Sequence, residues 1–424
     1  MRTATDERRA GTVIAGGRHF YGWTIAWTFA LTETISWGIL YYAFSVFLVP
    51  MQRDLGWSAA AITGAYSLAT LVSGLAAPFV GRWLDLHGPR ALMTLGSIAG
   101  TLLVLAWSRV ETLPGFYLLW IGIGLAQAAT LYEPAFATLA QWFERDRSRA
   151  MLLVTIAAGF ASTIFLPLGG WLIELTDWRT ALLILAGILG ALTIPPHALL
   201  LRRRPEDLGL APDGVSRAGG TEAQAPSGRR DRSGGDLRSV VRDRAFRWMT
   251  LAFFLQTFAS VAIAVHLIAY LVERGDGATF AATATGLIGA AQVAARILTT
   301  VLEHRISLVG LTAVFALEAV AIGLLVLWTA PAGVLVAVLL LGMGRGAVTL
   351  VRPSLIARYY GKASFGTISG IQMLVLTGAR GLAPAAMGAA STLLGGYTPA
   401  FWAMAAVSLL SALALLPVQR RSVG

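Results

Sequence analysis

The stretch Ser307–Thr329 reads SLVGLTAVFALEAVAIGLLVLWT and carries one ionisable side chain, Glu318. A helix needs ~20 mostly apolar residues to cross ~30 Å of hydrocarbon, and this run is long enough. Eleven others resemble it. The first-half runs are about 21–49, 58–80, 91–109, 114–141, 149–173 and 180–201; the second-half runs are about 246–272, 280–302, 331–352, 366–391 and 398–417, with 307–329 among them. None shows the ~10-residue alternation of a transmembrane β-strand. The expected fold is all-α and polytopic, with twelve transmembrane helices. Composition agrees: of 424 residues, 56% are hydrophobic and 13% charged, about half the charge of a soluble chain. No soluble fold of this size has the interior to hide so much apolar surface. A cytosolic enzyme, a nucleic-acid-binding domain and a secreted disulfide scaffold are thereby excluded. The absence of cysteine removes disulfides, thiolate chemistry and Cys-ligated metals.

The net charge of +11 has an address. Four of the 33 Lys and Arg residues (Arg53, Arg109, Arg179 and Arg274) fall in loops on one side, and Arg296, Arg345, Arg352 and Arg380 fall within spans. All the others share the side of the termini. Basic loops stay in the cytoplasm, so both termini are expected there, in a multi-pass protein of the cytoplasmic (inner) membrane. The surplus is topology and needs no nucleic acid. The polar stretch before Tyr21 and the length of the first apolar run argue against a signal peptide. The expected organisation is a cytoplasmic tail (1–20), a six-helix bundle (21–201), a cytoplasmic linker (202–245), a second six-helix bundle (246–417) and a tail (418–424). The linker is rich in Arg, Gly, Asp, Ser and Pro and reads as a flexible tether, with a short amphipathic helix near Leu237–Val241. Equal division around it suggests pseudo-symmetric halves that rock against each other.

The loop after the second run reads Gly81-Arg82-Trp83-Leu84-Asp85-Leu86-His87-Gly88-Pro89-Arg90. It resembles the loop motif of the major facilitator superfamily at Gly81, Asp85, Gly88 and Arg90, while Leu86 and Pro89 stand where cations are usual. Glycines permit a tight turn and close helix approach, and Asp85 can latch one conformation by pairing with a cation or a helix N-terminus. Leu302-Glu303-His304-Arg305 is a faded echo in the second half, and Arg203–Gly209 and Trp178-Arg179 also resemble the superfamily. A narrower resemblance, to the monocarboxylate transporter and oxalate/formate antiporter branch, lies in Tyr21-Gly22-Trp23, Gly38, Tyr41, Phe44, Pro50-Met51 and Gly56-Trp57-Ser58. It implies a substrate carboxylate held by Arg296, with Gln292 four residues before it, and a second cation at Arg380.

Ionised groups inside a bilayer cost roughly 2.5–3.5 kcal/mol each on insertion scales, so they usually face a cavity or a partner. The deep set is Glu33, Glu133, Glu318, Arg296, Arg345 and Arg380, with Arg352 shallower. Arg352 precedes Pro353 near a span end and reads as a snorkelling side chain. Glu318 reads as structural or lipid-edge. Arg345, flanked by glycines in Gly342-Met343-Gly344-Arg345-Gly346, fits an interhelical salt bridge and a substrate contact equally. A guanidinium offers a carboxylate a bidentate fork, which favours Arg296 and Arg380 as substrate ligands; pairing with Glu33 or Glu133 is the alternative. Glu33 and Glu133 suit proton coupling or a cavity salt bridge. Pro134, beside Glu133, is expected to kink its helix. Trp37, Tyr41, Tyr42, Phe44 and Tyr132 are candidate lining residues.

Histidines 19, 87, 197, 266 and 304 lack metal-ligand spacing, and no phosphate-binding Gly-x-x-x-x-Gly-Lys is present. No enzyme activity, cofactor or metal is expected. The expected partners are the bilayer, a small organic anion, and protons or a counter-anion, with one chain as the working unit. The leading expectation is a carrier of a small organic anion, a monocarboxylate, by proton symport or anion exchange. The alternatives are a proton-coupled exporter of hydrophobic compounds and a transporter-like sensor without net flux.

Overall fold

A computed structural model describes residues 20–214, 242–301, 308–360 and 365–422. Twelve apolar helical spans are found among them: α1 (Tyr21–Leu55), α2 (Ala59–Leu84), α3 (Pro89–Trp107), α4 (Leu113–Trp142), α5 (Arg147–Leu175), α6 (Trp178–Leu200), α7 (Arg244–Glu273), α8 (Ala278–Thr299), α9 (Leu308–Leu327), α10 (Pro331–Thr349), α11 (Ile371–Leu393) and α12 (Tyr397–Gln419). No strand occurs among the described residues. The twelve-helix, two-half expectation is met. Several helices outrun their apolar stretches, since a turn that emerges into water can stay helical without apolar side chains. The helix of α2 runs on to His87 and that of α10 to Tyr360.

Local chemistry sets the turns. Gly56, at φ 70°, ends α1, and the Ser58 hydroxyl accepts from Ala61 N at 3.2 Å to start α2. Asp177 caps α6 by accepting from Arg179 N at 2.8 Å and Thr180 N at 3.0 Å. The Thr180 hydroxyl, also bonded to Asp177, holds that carboxyl below its ordinary pKa. Trp178 Nε1 and Arg179 Nη2 donate to Asp54 at 3.1 and 3.2 Å, and Arg179 Nη1 reaches the Ser108 and Val110 carbonyls. The Trp-Arg pair thus ties three loops together at the end opposite the termini.

Outward faces carry large apolar side chains such as Phe79, Leu118 and Leu393, as a lipid-facing surface requires. Inside each half the packing is dense; Trp107, Trp120 and Trp142 are core residues rather than interface anchors. The halves meet along α2–α11, α5–α8 and α1–α7. Small residues set the α5–α8 seam: a side chain at Gly286 or Gly289 would strike the α5 backbone. Polar links follow the same lines. Ser67 Oγ accepts from Ala385 N at 3.1 Å, Thr163 Oγ1 donates to the Gly286 carbonyl at 2.8 Å, and Glu174 accepts from Thr279 N at 3.1 Å. Glu174 and Thr279 lie at the end away from the termini, so the seam closes that end. Glu133 and Arg380 lie within spans yet are exposed. Their exposure leaves a gap between the halves on the terminus-bearing side.

Two segments differ from their sequence reading. The stretch Gly81–Arg90 is almost wholly helical, and the turn is confined to Gly88 at φ 79°. The stretch after α6, read as the start of an unfolded tether, is folded as far as Gly214. Its 3-10 turns at Pro205–Leu208 and Pro212–Gly214 dock on the first half. Asp213 Oδ2 accepts from Glu144 N at 3.0 Å and Arg145 N at 2.8 Å just before α5, and Trp142 Nε1 donates to the Arg202 carbonyl at 3.3 Å. Leu302–Arg305 and Leu237–Val241 lie outside the described residues.

Candidate functional site

The first half contributes an aromatic wall because α1 changes pitch. Between Tyr21–Ser36 and Phe44–Leu55, residues Trp37–Tyr42 form a π-helical turn. In an α-helix, residues i and i+5 point about 140° apart; the wider turn brings them onto one face. Trp37 therefore contacts both Tyr41 (ring centroids 4.9 Å) and Tyr42 (6.2 Å). Tyr132 of α4 packs on Trp37 at 4.9 Å, and Tyr66 of α2 on Tyr41 at 5.5 Å. Two residues hold the irregular turn. Gly38 lets Phe165 of α5 sit against the backbone, and buried Gln127 of α4 donates to the Leu40 carbonyl at 2.7 Å.

The acids sit behind and beside this wall. Glu33 is fully buried one turn before Trp37, and neither carboxylate oxygen has a hydrogen-bond partner among the described residues. Its electrostatic neighbours are Glu133 and the Trp37 side chain. Glu133 follows a break at Leu131, where α4 splits into Leu113–Thr130 and Tyr132–Trp142. Pro134 explains the break, since its ring clashes with the carbonyl four residues back and it lacks an N–H.

The second half contributes cations. Arg345 lines a niche of about 20 Å³ with Tyr41, Tyr42, Ser45 and Tyr66 from the first half and Val261 and Val265 from α7. That volume holds about one water. Gly342 and Gly346 abut the α8 backbone, so their lack of side chains lets α10 pack closely around Arg345. Arg296 Nη1 donates to the Thr155 carbonyl of α5 at 3.2 Å, and its guanidinium acts electrostatically on Tyr132. Arg345, Arg296 and Arg380 all act electrostatically on Tyr42. Ion pairs among the described residues are Arg149–Asp146, Arg179–Asp54 and Arg274–Asp276, all at helix ends. Neither Arg345 nor Arg380 is in one of them.

The structure thus gathers Tyr41, Tyr132, Glu133, Arg296, Arg345 and Arg380 around one gap, with Glu33 buried behind Trp37. Gln292 is buried one turn from Arg296, its backbone against Gly346. The loop residues Gly81, Asp85, Gly88 and Arg90 lie at the terminus-bearing end, away from this group. Gly88 is required there by its φ and by Arg203, which packs where a side chain would go; Gly81 has open space around it. Arg90 Nε donates to the Ala198 carbonyl at 2.6 Å, gripping α6 of its own half. The Asp85 side chain lies outside the described residues.

Two readings are corrected. Glu318 is 1% exposed, which removes a lipid-edge position; Ser260 of α7 and Arg345 are its neighbours. Arg352 does not snorkel: its helix continues past Pro353, and Nη1 turns inward to Gln372 Oε1 at 3.5 Å. His266 is fully used in packing. Its Nε2 donates to the Pro384 carbonyl at 2.9 Å, which leaves Nδ1 to accept from the Tyr397 hydroxyl at 2.9 Å.

The family model described as Major Facilitator Superfamily matches residues 27–384. Monocarboxylate transporter 13 of Bos taurus is 29% identical over 258 residues, covering 60% of this chain and 55% of that protein. The oxalate:formate antiporter of Oxalobacter formigenes is 26% identical over 156 residues, 36% of each. The chain spans about half the length of the first of these relatives and less of the second. Among solved structures, a bacterial homologue of the human lysosomal transporter Spinster, inward-facing and occupied, superposes with a TM-score of 0.74. It shares 14% identity and covers 95% of this chain and 98% of its own; the likeness is one of fold.

Proposed function

The chain belongs to the major facilitator superfamily, and on that premise we propose that it carries a small organic anion, a monocarboxylate, by alternating access. It is a transporter and not an enzyme. The observation that carries the substrate reading is the convergence of Arg296, Arg345 and Arg380 on Tyr42. Three guanidinium groups at the depth of the spans call for a negative partner. The facing wall of Trp37, Tyr41, Tyr42 and Tyr132 suits the uncharged body of such a substrate. Relatives named monocarboxylate transporter and oxalate:formate antiporter support the same class.

Rocking of one half against the other would separate the aromatic wall from the arginines and expose the anion to the opposite side. Glu33 and Glu133, in each other's field and next to the wall, are the proton carriers if transport is symport; exchange needs only a second anion. The basic loops support a cytoplasmic position for the termini, and for the opening beside them, at the inner membrane. One chain contains both halves and suffices as the carrier.

The test is uptake of radiolabelled lactate, formate and oxalate into proteoliposomes holding the full chain. Arg296→Ala is expected to lower uptake of the carried anion at least tenfold with expression intact. Wild-type proteoliposomes that take up none of the three, or an Arg296→Ala variant that transports normally, would remove the reading.

A further inference from the structure

The cations of the gap do not form one cluster. Arg352 lies seven residues from Arg345 on the same helix, two turns or about 10.5 Å nearer the terminus-bearing end. An i, i+7 pair shares one helix face. Arg380 of α11 is exposed and follows Gln372 by eight residues, about 12 Å along the helix away from the terminus-bearing end, and it acts electrostatically on both Tyr42 and Arg352.

The lower level has the features of a built anion site. Gln372 of α11 is fully buried, and its Oε1 accepts from Arg352 Nη1 over a long 3.5 Å contact. Its Nε2 is buried with no hydrogen-bond partner among the described residues. A buried donor without an acceptor costs about 1–3 kcal/mol and needs a reason. Arg380 acts electrostatically on Arg352, and no carboxylate forms an ion pair with either among the described residues. An acceptor of negative charge satisfies all three groups at once. A carboxylate does so with two oxygens, one for the guanidinium and one for the amide.

We propose that Arg352 and Gln372, with Arg380 above them, form a second carboxylate subsite in the terminus-side mouth of the gap. It captures the anion before the anion passes by way of Arg380 to Arg345 and the aromatic wall. The inference rests on the anion reading above. It adds a binding step that exists only while the gap is open toward the termini, because the opposite end reaches the wall without passing Arg352.

That sidedness is the test. Transport of lactate, formate and oxalate is measured in everted membrane vesicles, which present the terminus-bearing face outward, and in right-side-out vesicles. For the carried anion, Arg352→Gln is expected to raise KM about tenfold in everted vesicles, the low end for losing a charge-assisted hydrogen bond. KM in right-side-out vesicles should stay within about twofold of wild type. That second value also shows that the variant is folded. Gln372→Leu should give a smaller rise with the same sidedness, and Arg352→Lys should recover most of the loss. Equal KM changes from both faces, or none from either, would overturn the subsite while leaving the central site standing. A wild-type chain that carries none of the three anions would overturn both.

Discussion

The two halves share a scaffold but divide the chemistry of the gap between them. The first half presents Trp37, Tyr41, Tyr42, Tyr66 and Tyr132 with two carboxylates, Glu33 and Glu133. The second presents Arg296, Arg345, Arg352 and Arg380 beside the small aliphatic side chains Val261, Ala264 and Val265. Pseudo-symmetry therefore belongs to the helices and not to the site. An anion held between the halves would lay its charge on one and its body on the other. Rocking would then change the distance from the acids of the first half to the cations of the second, which on the proposed reading would couple proton and anion movement.

The largest expected effect that sharpens this division comes from the acidic pole. Glu33→Gln keeps the shape of the side chain and removes its proton exchange. Net anion uptake driven by a pH gradient is expected to fall at least tenfold, while anion-for-anion exchange stays near wild type. Equal loss of both modes would give Glu33 a structural role and break the assignment of acids to coupling.

A smaller effect is expected where the aromatic wall is shaped. Gln127→Leu removes the donor to the Leu40 carbonyl in the π-turn. Leaving that buried acceptor unsatisfied should cost about 1–3 kcal/mol, read as a lower melting temperature, with KM raised as Tyr41 and Tyr42 lose their register. An unchanged melting temperature would mean that the π-turn is held by packing against Phe165 alone.

The twelve spans were legible because run length and scarcity of charge are direct consequences of crossing a bilayer. The kink at Leu131 was legible too, since Pro134 removes an N–H wherever it stands. The π-turn was not: Trp37-Gly38-Ile39-Leu40-Tyr41-Tyr42 contains nothing that forbids an ordinary helix, and its pitch is set by Phe165 and Gln127 from other spans. Tyr42 was named as a lining residue without the reason that it shares a face with Trp37. Burial removes the lipid-edge half of the Glu318 reading and leaves its structural half. Position along a span tells depth, while the contact that decides the role of Arg352, Gln372 on the next helix of the chain, depends on how the two helices pack. The folded segment Pro205–Gly214 was hidden for a similar reason, because its polar composition gives no sign that Asp213 finds the start of α5.

The central claim is that an anion binds to the second half's arginines at the aromatic wall, and ligand stabilisation of the purified full chain tests it most directly. Melting temperatures are measured with and without lactate, formate and oxalate, for wild type and for Arg345→Ala. At a hundred times Kd, binding adds about 2.7 kcal/mol by mass action. The expected result is a rise in Tm of the wild type with at least one of these anions and no rise in Arg345→Ala. The contradicting result is an Arg345→Ala variant that is stabilised as much as the wild type.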